Sequence, residues 1–293
     1  MIDLVNRRFV PFYFNVGKGQ TGYDADAAAF IATVDNRFAG PSVPTPPVWI
    51  LSPDGNLLAT IDNYAPKDEF FAKVREVLDK HPEFNTPSAG EAKQLKAGGV
   101  AAGLIHEELG EYEKALALYE AAKADPAALL GRARIARHER KWDLAKTAVA
   151  ALERTGDDAY ADDVAMESAY HLLDARSWEP ARTLLHLAIR KFGDSERMGE
   201  MHFSAGVASF FLEQKDWARF HWCWVMKNIP DDCNYMRCYM AATAEAMPYA
   251  NPELGGYKGG KGMISHALAD KARDAAMKDY EKLLPEWKAG AGR

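Results

Sequence analysis

The chain is poor in cysteine and has no long hydrophobic run. Its three thiols, Cys223, Cys233 and Cys238, all lie late in the sequence. They do not form the disulfide framework typical of small secreted domains, which favours a reducing compartment. No run approaches the roughly 18 apolar residues that a membrane-spanning helix needs, and no basic region with an apolar stretch follows Met1. We therefore predict a cytoplasmic protein without a membrane partner.

The chain also lacks an excess of positive charge. Its 36 Lys and Arg residues face 42 Asp and Glu residues, which gives a formal net charge of -6. Nucleic-acid-binding domains gather cations on one face to neutralise phosphates. The densest cationic group here, Arg132, Arg134 and Arg137, is typical of a solvated helix face. We therefore do not expect a nucleic-acid partner.

What the chain does contain is enough apolar sequence to fold. Hydrophobic residues make up 48% and charged residues 27%, a composition that argues against long disorder. The 293 residues exceed the roughly 100 to 200 of one ordinary domain. We predict three parts: an α/β domain at residues 1–84, helical repeats at 85–250, and a Gly-rich loop with a C-terminal capping helix at 251–293.

The first part alternates short apolar segments with amphipathic ones. The predicted elements are, in order, a strand at 9–16, a helix at 24–36, a strand at 48–51, a turn at 53–55, a hairpin strand at 57–62 and a helix at 66–80. We expect the strand at 9–16 to pair directly with the strand at 48–51. Residues 85–95 read either as a linker or as the start of the first repeat helix.

This βαββα order resembles the C-terminal part of the thioredoxin fold. Thr45 and Pro46, in the run Thr-Pro-Pro-Val, stand where that family places its cis-proline loop, with Pro46 at the cis position. The family's Cys-x-x-Cys helix has no counterpart, because no cysteine precedes Cys223 and residues 2–8 resemble only the tail of that helix. Two alternatives follow: a degenerate domain without redox activity, or a thiol-disulfide oxidoreductase whose redox motif lies upstream of the given start.

After residue 95, small and bulky residues recur in phase with an aromatic residue that follows each predicted turn. The aromatic positions, spaced 30, 36 and 39 residues apart, are Tyr112, Trp142, Trp178 and Trp217. The small residues nine positions earlier are Gly103, Ala133, Ala169 and Ala208. The residues three positions later are Ala115, Ala145, Ala181 and, as an exception, Phe220. The residues seven positions later are Tyr119, Val149, Leu185 and Trp224.

This pattern resembles the tetratricopeptide repeat, whose period is about 34 residues. The resemblance implies helix pairs that stack into an α-solenoid. Further helices are predicted at 232–247 and 263–284, the second as a solvent-facing cap, with the Gly-rich loop 255–262 between them. That loop fits the letters G-x-x-x-x-G-K, but helices flank it and Gly262 replaces the Ser or Thr of a phosphate-binding loop.

The sequence does not present a catalytic or cofactor-binding constellation. Cys233 and Cys238 are five residues apart, which places them on different faces of a helix, so buried structural thiols are the preferred reading. A zinc site that adds Cys223 with His202 or His221 is the alternative. We predict neither a metal nor a cofactor.

The repeat resemblance also implies a binding surface. In that family the first helix of each unit lines a concave groove, and counting from the aromatic positions gives the residues Arg134, Arg137, Asp163, Tyr170 and His202. Guanidinium groups and tyrosine rings suit peptide recognition, although the same residues could simply be exposed helix positions. The predicted function is a non-catalytic scaffold that binds a protein or peptide. The sequence leaves the partner and the oligomeric state open.

Overall fold

The computed structural model describes residue 8 and residues 25–35, 47–62, 65–243, 250–251, 256–257 and 266–290. The chain forms two compact units, Met1–Leu118 and Tyr119–Arg293. In the described residues it is mostly helical, with thirteen α-helices and two small antiparallel strand pairs. None of the described helices is long and apolar enough to cross a bilayer. The domain boundaries at 84/85 and 250/251 stay predictions.

The first unit contains a short hairpin and a run of helices. Its elements are α1 (Ala25–Val34), β1 (Val48–Leu51), β2 (Leu57–Ile61), α2 (Lys67–Lys80), a 3-10 turn (Pro82–Phe84), α3 (Ala89–Ala97), α4 (Gly99–Glu108) and the first part of α5 (Tyr112–Ala121). The predicted hairpin and helix at 66–80 are confirmed. The expected strand at 9–16, its pairing, and the Thr45 and Pro46 loop lie outside the described residues.

The hairpin buries one face against α2. β1 and β2 pair antiparallel with Val48 opposite Ile61, and the turn places Gly55 at a φ of 85°. The buried apolar side chains between hairpin and helix are Ile50, Ala59, Ile61, Val74, Val77 and Leu78. Such alternation along a strand leaves the other face to solvent.

Helix α3 settles how the stretch after residue 85 folds. The Ser88 side chain accepts a hydrogen bond from the Glu91 backbone N–H, and the Glu91 carboxylate accepts one from the Ser88 N–H, which forms a capping box. Glu91 also pairs with Arg8 at 3.1 Å. The second half of this stretch is therefore helical.

The second unit continues with helices in pairs. Its elements after α5 are α6 (Pro126–His138), α7 (Trp142–Glu153), a 3-10 turn (Asp158–Tyr160), α8 (Ala161–Asp174), α9 (Trp178–Lys191), α10 (Met198–Phe211), α11 (Lys215–Asn228), α12 (Tyr235–Ala242), β3 (Ala250–Asn251), β4 (Gly256–Tyr257) and α13 (His266–Lys288). Helix α7 packs on α6, α9 on α8, and α11 on α10.

Four turns in the chain have the same backbone conformation. In each, the residue after the first helix's C-cap has a left-handed φ between 54° and 68°, and the residues are Gly110, Arg140, Arg176 and Glu213. The N–H of the next residue reaches back to the fifth residue before it, as from Lys141 to the Ala136 carbonyl at 2.8 Å. This is the Schellman closure of a helix C-terminus. In each case the second helix starts two residues after the left-handed residue, so the turn sets the register of each helix pair.

The turns correct the alignment of the fourth unit. Its second helix begins at Lys215, so the counterpart of Tyr112, Trp142 and Trp178 is Lys215, and the alignment on Trp217 is two residues too late. The sequence alignment used the aromatic residue Trp217 as its reference, whereas the backbone turn places the helix start two residues earlier. With the structural register, the fully buried Ala218 replaces Phe220 three positions after the start, which removes the exception.

The corrected register explains where the helices approach most closely. The position nine residues before the start becomes Gly206, and the position seven residues after it becomes Trp222. A Cβ atom on Gly206 would collide with the indole of Trp222, which donates a hydrogen bond to the Phe203 carbonyl at 3.2 Å. Between two successive pairs, Tyr119 on α5 lies against Gly131 on α6, where a Cβ atom would also collide with the ring. At both places a bulky ring packs directly against the backbone of a glycine, where a Cβ atom would not fit.

The C-terminal part differs from the sequence prediction in two places. Two described pieces of this region, Ala250–Asn251 and Gly256–Tyr257, pair as short antiparallel strands. The last helix continues past the expected end at residue 284 and through Pro285 to Lys288. Pro285 removes one helical hydrogen bond, but Trp287, which is 8% exposed, is buried by this extension.

Substitution of Gly206 should test the close contact. We expect Gly206→Ala to lower the free energy of unfolding by about 1 to 3 kcal/mol, because the methyl group displaces Trp222. Gly193→Ala is the matched control, since nothing lies within 4 Å of a Cβ there. Urea denaturation followed by circular dichroism measures both. Equal stability of the two variants would contradict the assigned contact.

Arg176 offers a gain of stability at a turn. Its φ of 54° is costly for a residue with a Cβ, so we expect Arg176→Gly to raise the free energy of unfolding by about 0.5 to 1 kcal/mol. Ala175→Gly, at a φ of -69°, should instead lower it. Thermal melts of both variants give the comparison. A loss of stability in Arg176→Gly would show that the turn does not hold this conformation.

Candidate functional site

Three of the five predicted groove residues meet in one cluster. Arg137 on α6 and Asp163 and Tyr170 on α8 belong to a band of polar side chains across α6, α8 and α10. We call this set the charged band; its members are Arg137, Asp163, Glu167, Tyr170, Arg197 and Glu200. Arg134 lies on α6, as Arg137 does, and its charge acts on Asp163 by lowering the pKa of that carboxyl. The fifth residue, His202, is fully buried elsewhere in α10.

Arg137 is held by two partners on α8. Its Nε and Nη2 donate to the two carboxylate oxygens of Glu167 at 2.8 and 3.2 Å. Its guanidinium also lies over the Tyr170 ring, 4.2 Å from the centroid. Burial by itself would lower the pKa of Arg137, but the Glu167 carboxylate raises it above the usual range. The cation is thus fixed in orientation while its side chain stays 28% exposed.

Arg197 connects the same acidic residues to α10. It precedes the first residue of that helix and donates to Asp163 at 2.7 Å and to Glu200 at 2.8 Å, with Glu167 at 3.4 Å. The Tyr170 hydroxyl donates to the other oxygen of Glu200. Because Glu167 is only 2% exposed, its charge depends on the two arginines for compensation.

The pKa shifts in the band follow from burial and from its charges. Burial, followed by the neighbouring Glu200, raises the pKa of Tyr170, so the hydroxyl stays protonated and serves as a donor. Burial also raises the pKa of Asp163; Arg197 opposes this and Asp162 adds to it. The band therefore presents fixed charges and hydrogen-bonding groups on a half-buried face.

The cysteines do not form a reactive or metal-binding group in the described residues. Cys223 and Cys238 are buried as predicted, and burial raises the pKa of Cys223 to about 12, which keeps it protonated. Cys233 is exposed, contrary to the expectation of a buried thiol. Within the described part of the chain, His, Cys, Asp and Glu side chains do not gather in any group of three suited to a metal ion.

One polar feature escaped the sequence analysis. His186, His202 and His221 lie together inside the second unit, each at most 2% exposed. His186 and His221 are 35 residues apart, about one repeat, which is the only signal in the sequence that could have related them.

The salt bridges of the charged band should matter for stability in proportion to burial. We expect Glu167→Gln to lower the free energy of unfolding by about 2 to 4 kcal/mol, because the partly buried Arg137 loses its paired carboxylate and Arg197 loses one of three. Glu139→Gln removes the exposed pair with Lys141 and should cost less than about 1 kcal/mol. Denaturant unfolding compares the two variants. Similar small losses would show that Glu167 does not hold the band together.

Comparisons with known proteins do not identify a relative. No family model, no curated protein and no solved structure matches this chain at a significant level.

Proposed function

We propose that the second unit binds an extended segment of a partner protein along the charged band and performs no catalysis itself. In this proposal the helix pairs are tetratricopeptide-like repeats that stack into a solenoid, α13 is the cap, and the first unit is a truncated thioredoxin-like domain without redox activity. The proposal includes a cytoplasmic location for the protein.

The observation that carries the proposal is the alignment of the band across helices. Arg137, Glu167 and Arg197 follow one another at intervals of 30 residues and touch in sequence, from α6 to α8 to the start of α10. The contacting side chains therefore run from the last turn of α6 across α8 to the N-terminus of α10. A row of this kind matches an extended ligand better than a small compact one.

The chemistry of the band suits a peptide. Its guanidinium and carboxylate groups, most of them partly exposed, can pair with side chains of opposite charge and with backbone amides. The Tyr170 ring adds contact area with few rotatable bonds. Because the members already hold one another, little side-chain freedom remains to be lost on binding, which favours affinity. The four turns with the same left-handed residue and backbone hydrogen bond support the interpretation of the helix pairs as repeats.

The test is a selection of peptides from a random library on the intact protein. We expect enriched peptides whose affinity falls at least about tenfold when Arg134→Glu reverses a charge that acts on the band, since each lost charged hydrogen bond is worth roughly 1.5 to 3 kcal/mol. Lys146→Glu, on an exposed position of α7, is the matched control and should leave affinity unchanged.

Two results would contradict the proposal. One is a selection that enriches no peptide. The other is an enriched peptide whose affinity responds equally to the variants at Arg134 and Lys146, because it would then bind a surface other than the charged band. Isothermal titration calorimetry of the selected peptides with each variant supplies the affinities.

A further inference from the structure

Three buried histidines from three successive helices form a hydrogen-bonded chain. His221 on α11 stands in the middle: its Nε2 is 2.9 Å from Nε2 of His186 on α9, and its Nδ1 is 3.0 Å from Nδ1 of His202 on α10. Each ring is at most 2% exposed. We call this set the histidine chain.

The two hydrogen bonds of the histidine chain can be formed with all three imidazoles neutral. A neutral imidazole has one N–H donor and one bare nitrogen acceptor. His221 must therefore donate to one neighbour and accept from the other, so that both bonds run in one direction. At one end of the chain, His202 Nε2 is buried without a partner among the described residues. If both bonds are kept, a fourth proton on the three rings puts an N–H on this atom, for which the described residues offer no acceptor.

The cover over the chain comes partly from a separate element. The Trp287 ring of α13 meets His186 and His221 edge-on, with centroids 5.1 and 5.2 Å apart. Arg190 stacks on that indole at 4.1 Å and donates to the Trp287 carbonyl at 3.3 Å. On the other side Trp224, which belongs to α11 itself, stacks on His202 at 3.9 Å. Movement of α13 is thus the simplest way to admit water.

The charges around the chain oppose protonation in the closed state. The side chains that act on His221 are His186, Arg182 and Arg190 from α9 and His202 from α10, while α13 contributes the uncharged Trp287. Burial in the first place, and then these neighbours, lowers the pKa of His221 well below its usual value. Burial and then His186 do the same for His202.

We propose that the histidine chain and Trp287 form an acid-sensitive latch, in which proton uptake by the imidazoles in mild acid releases the last turns of α13 from α9, α10 and α11. The latch is independent of the partner proposed for the charged band. It gives the C-terminal helix a closed state near neutral pH and an open state in acid.

The sign of the effect follows from proton linkage. Histidines exposed in the open state titrate near pH 6.5, whereas the buried ones stay neutral, so the open state binds more protons below that pH. The contribution to closure is complete above about pH 7 and decreases as the pH falls. For each histidine the open-to-closed ratio rises up to about tenfold per pH unit. At pH 5 the open-to-closed ratio is therefore about 30-fold higher than at neutral pH for one histidine, and about 1000-fold higher for His202 and His221 together.

Cys223 offers a direct reporter of the open state. It is fully buried on α11, and Asp279 of α13 acts on it, so α13 lies close to its thiol. Cys233 is exposed and serves as the internal reference. The intact protein is treated with 4,4′-dithiodipyridine at pH 7.5 and 5.0, and each labelled thiol is located by mass spectrometry. We expect the labelling rate of Cys223 relative to Cys233 to rise at least about 30-fold at pH 5.0.

Variants separate the latch from general acid sensitivity. His202→Phe keeps a ring on Trp224 but cannot be protonated, and should lose at least about tenfold of the acid effect. Trp287→Ala should expose Cys223 already at pH 7.5 and reduce the response to acid, and it decides the question if His202→Phe does not fold. His138→Gln, on an exposed histidine, is the control and should behave like the unaltered protein.

Hydrogen exchange distinguishes local opening from unfolding. After correction for the intrinsic rates, α13 should lose protection at pH 5.0 while α6 to α8 keep theirs. The latch is overturned if Cys223 stays protected at pH 5.0, if His202→Phe retains the full acid effect, if Trp287→Ala keeps Cys223 protected, or if all helices lose protection together.

Discussion

The structure depends on the close approach of paired helices at positions without large side chains. A left-handed residue ends the first helix of each pair and fixes where the second begins. Once that register is set, small residues such as Ala133 and Ala169 face the partner helix and are completely buried. Interiors are packed to crystal-like density, so a shift of even one residue would place a side chain where no room exists.

The sequence predicted the helix pairs well because their signal is local. Small and bulky residues recur at fixed distances from each turn, and a pattern of that kind can be satisfied only by interlocking helices. The predicted alignment is wrong in the fourth unit, because it used Trp217 as the start of the second helix, which begins at Lys215. The left-handed residues of three turns are Arg140, Arg176 and Glu213. Such residue types do not favour this conformation, so their identity gave no warning.

The sites were less accessible to sequence reasoning because they depend on contacts between helices. Arg137, Asp163 and Tyr170 were selected from their positions, but their acidic partner Glu167 and the second cation, Arg197, were not. An ion-pair network is defined by which faces meet, and the periodicity of one helix does not specify this. His202 was assigned to the groove, whereas the structure places it in the core beside Trp224. A histidine on a helix gives no indication of whether it will be buried.

The register of the helix pairs places the Trp222 indole in the space above Gly206. A double-mutant cycle on the free energy of unfolding, with Gly206→Ala and Trp222→Leu made singly and together, measures that contact directly. Because the added methyl group harms the protein only through the indole, the cost of Gly206→Ala should fall by at least about 1 kcal/mol once Trp222 is Leu. Strictly additive effects would mean that the two residues do not meet and that the assigned register is wrong.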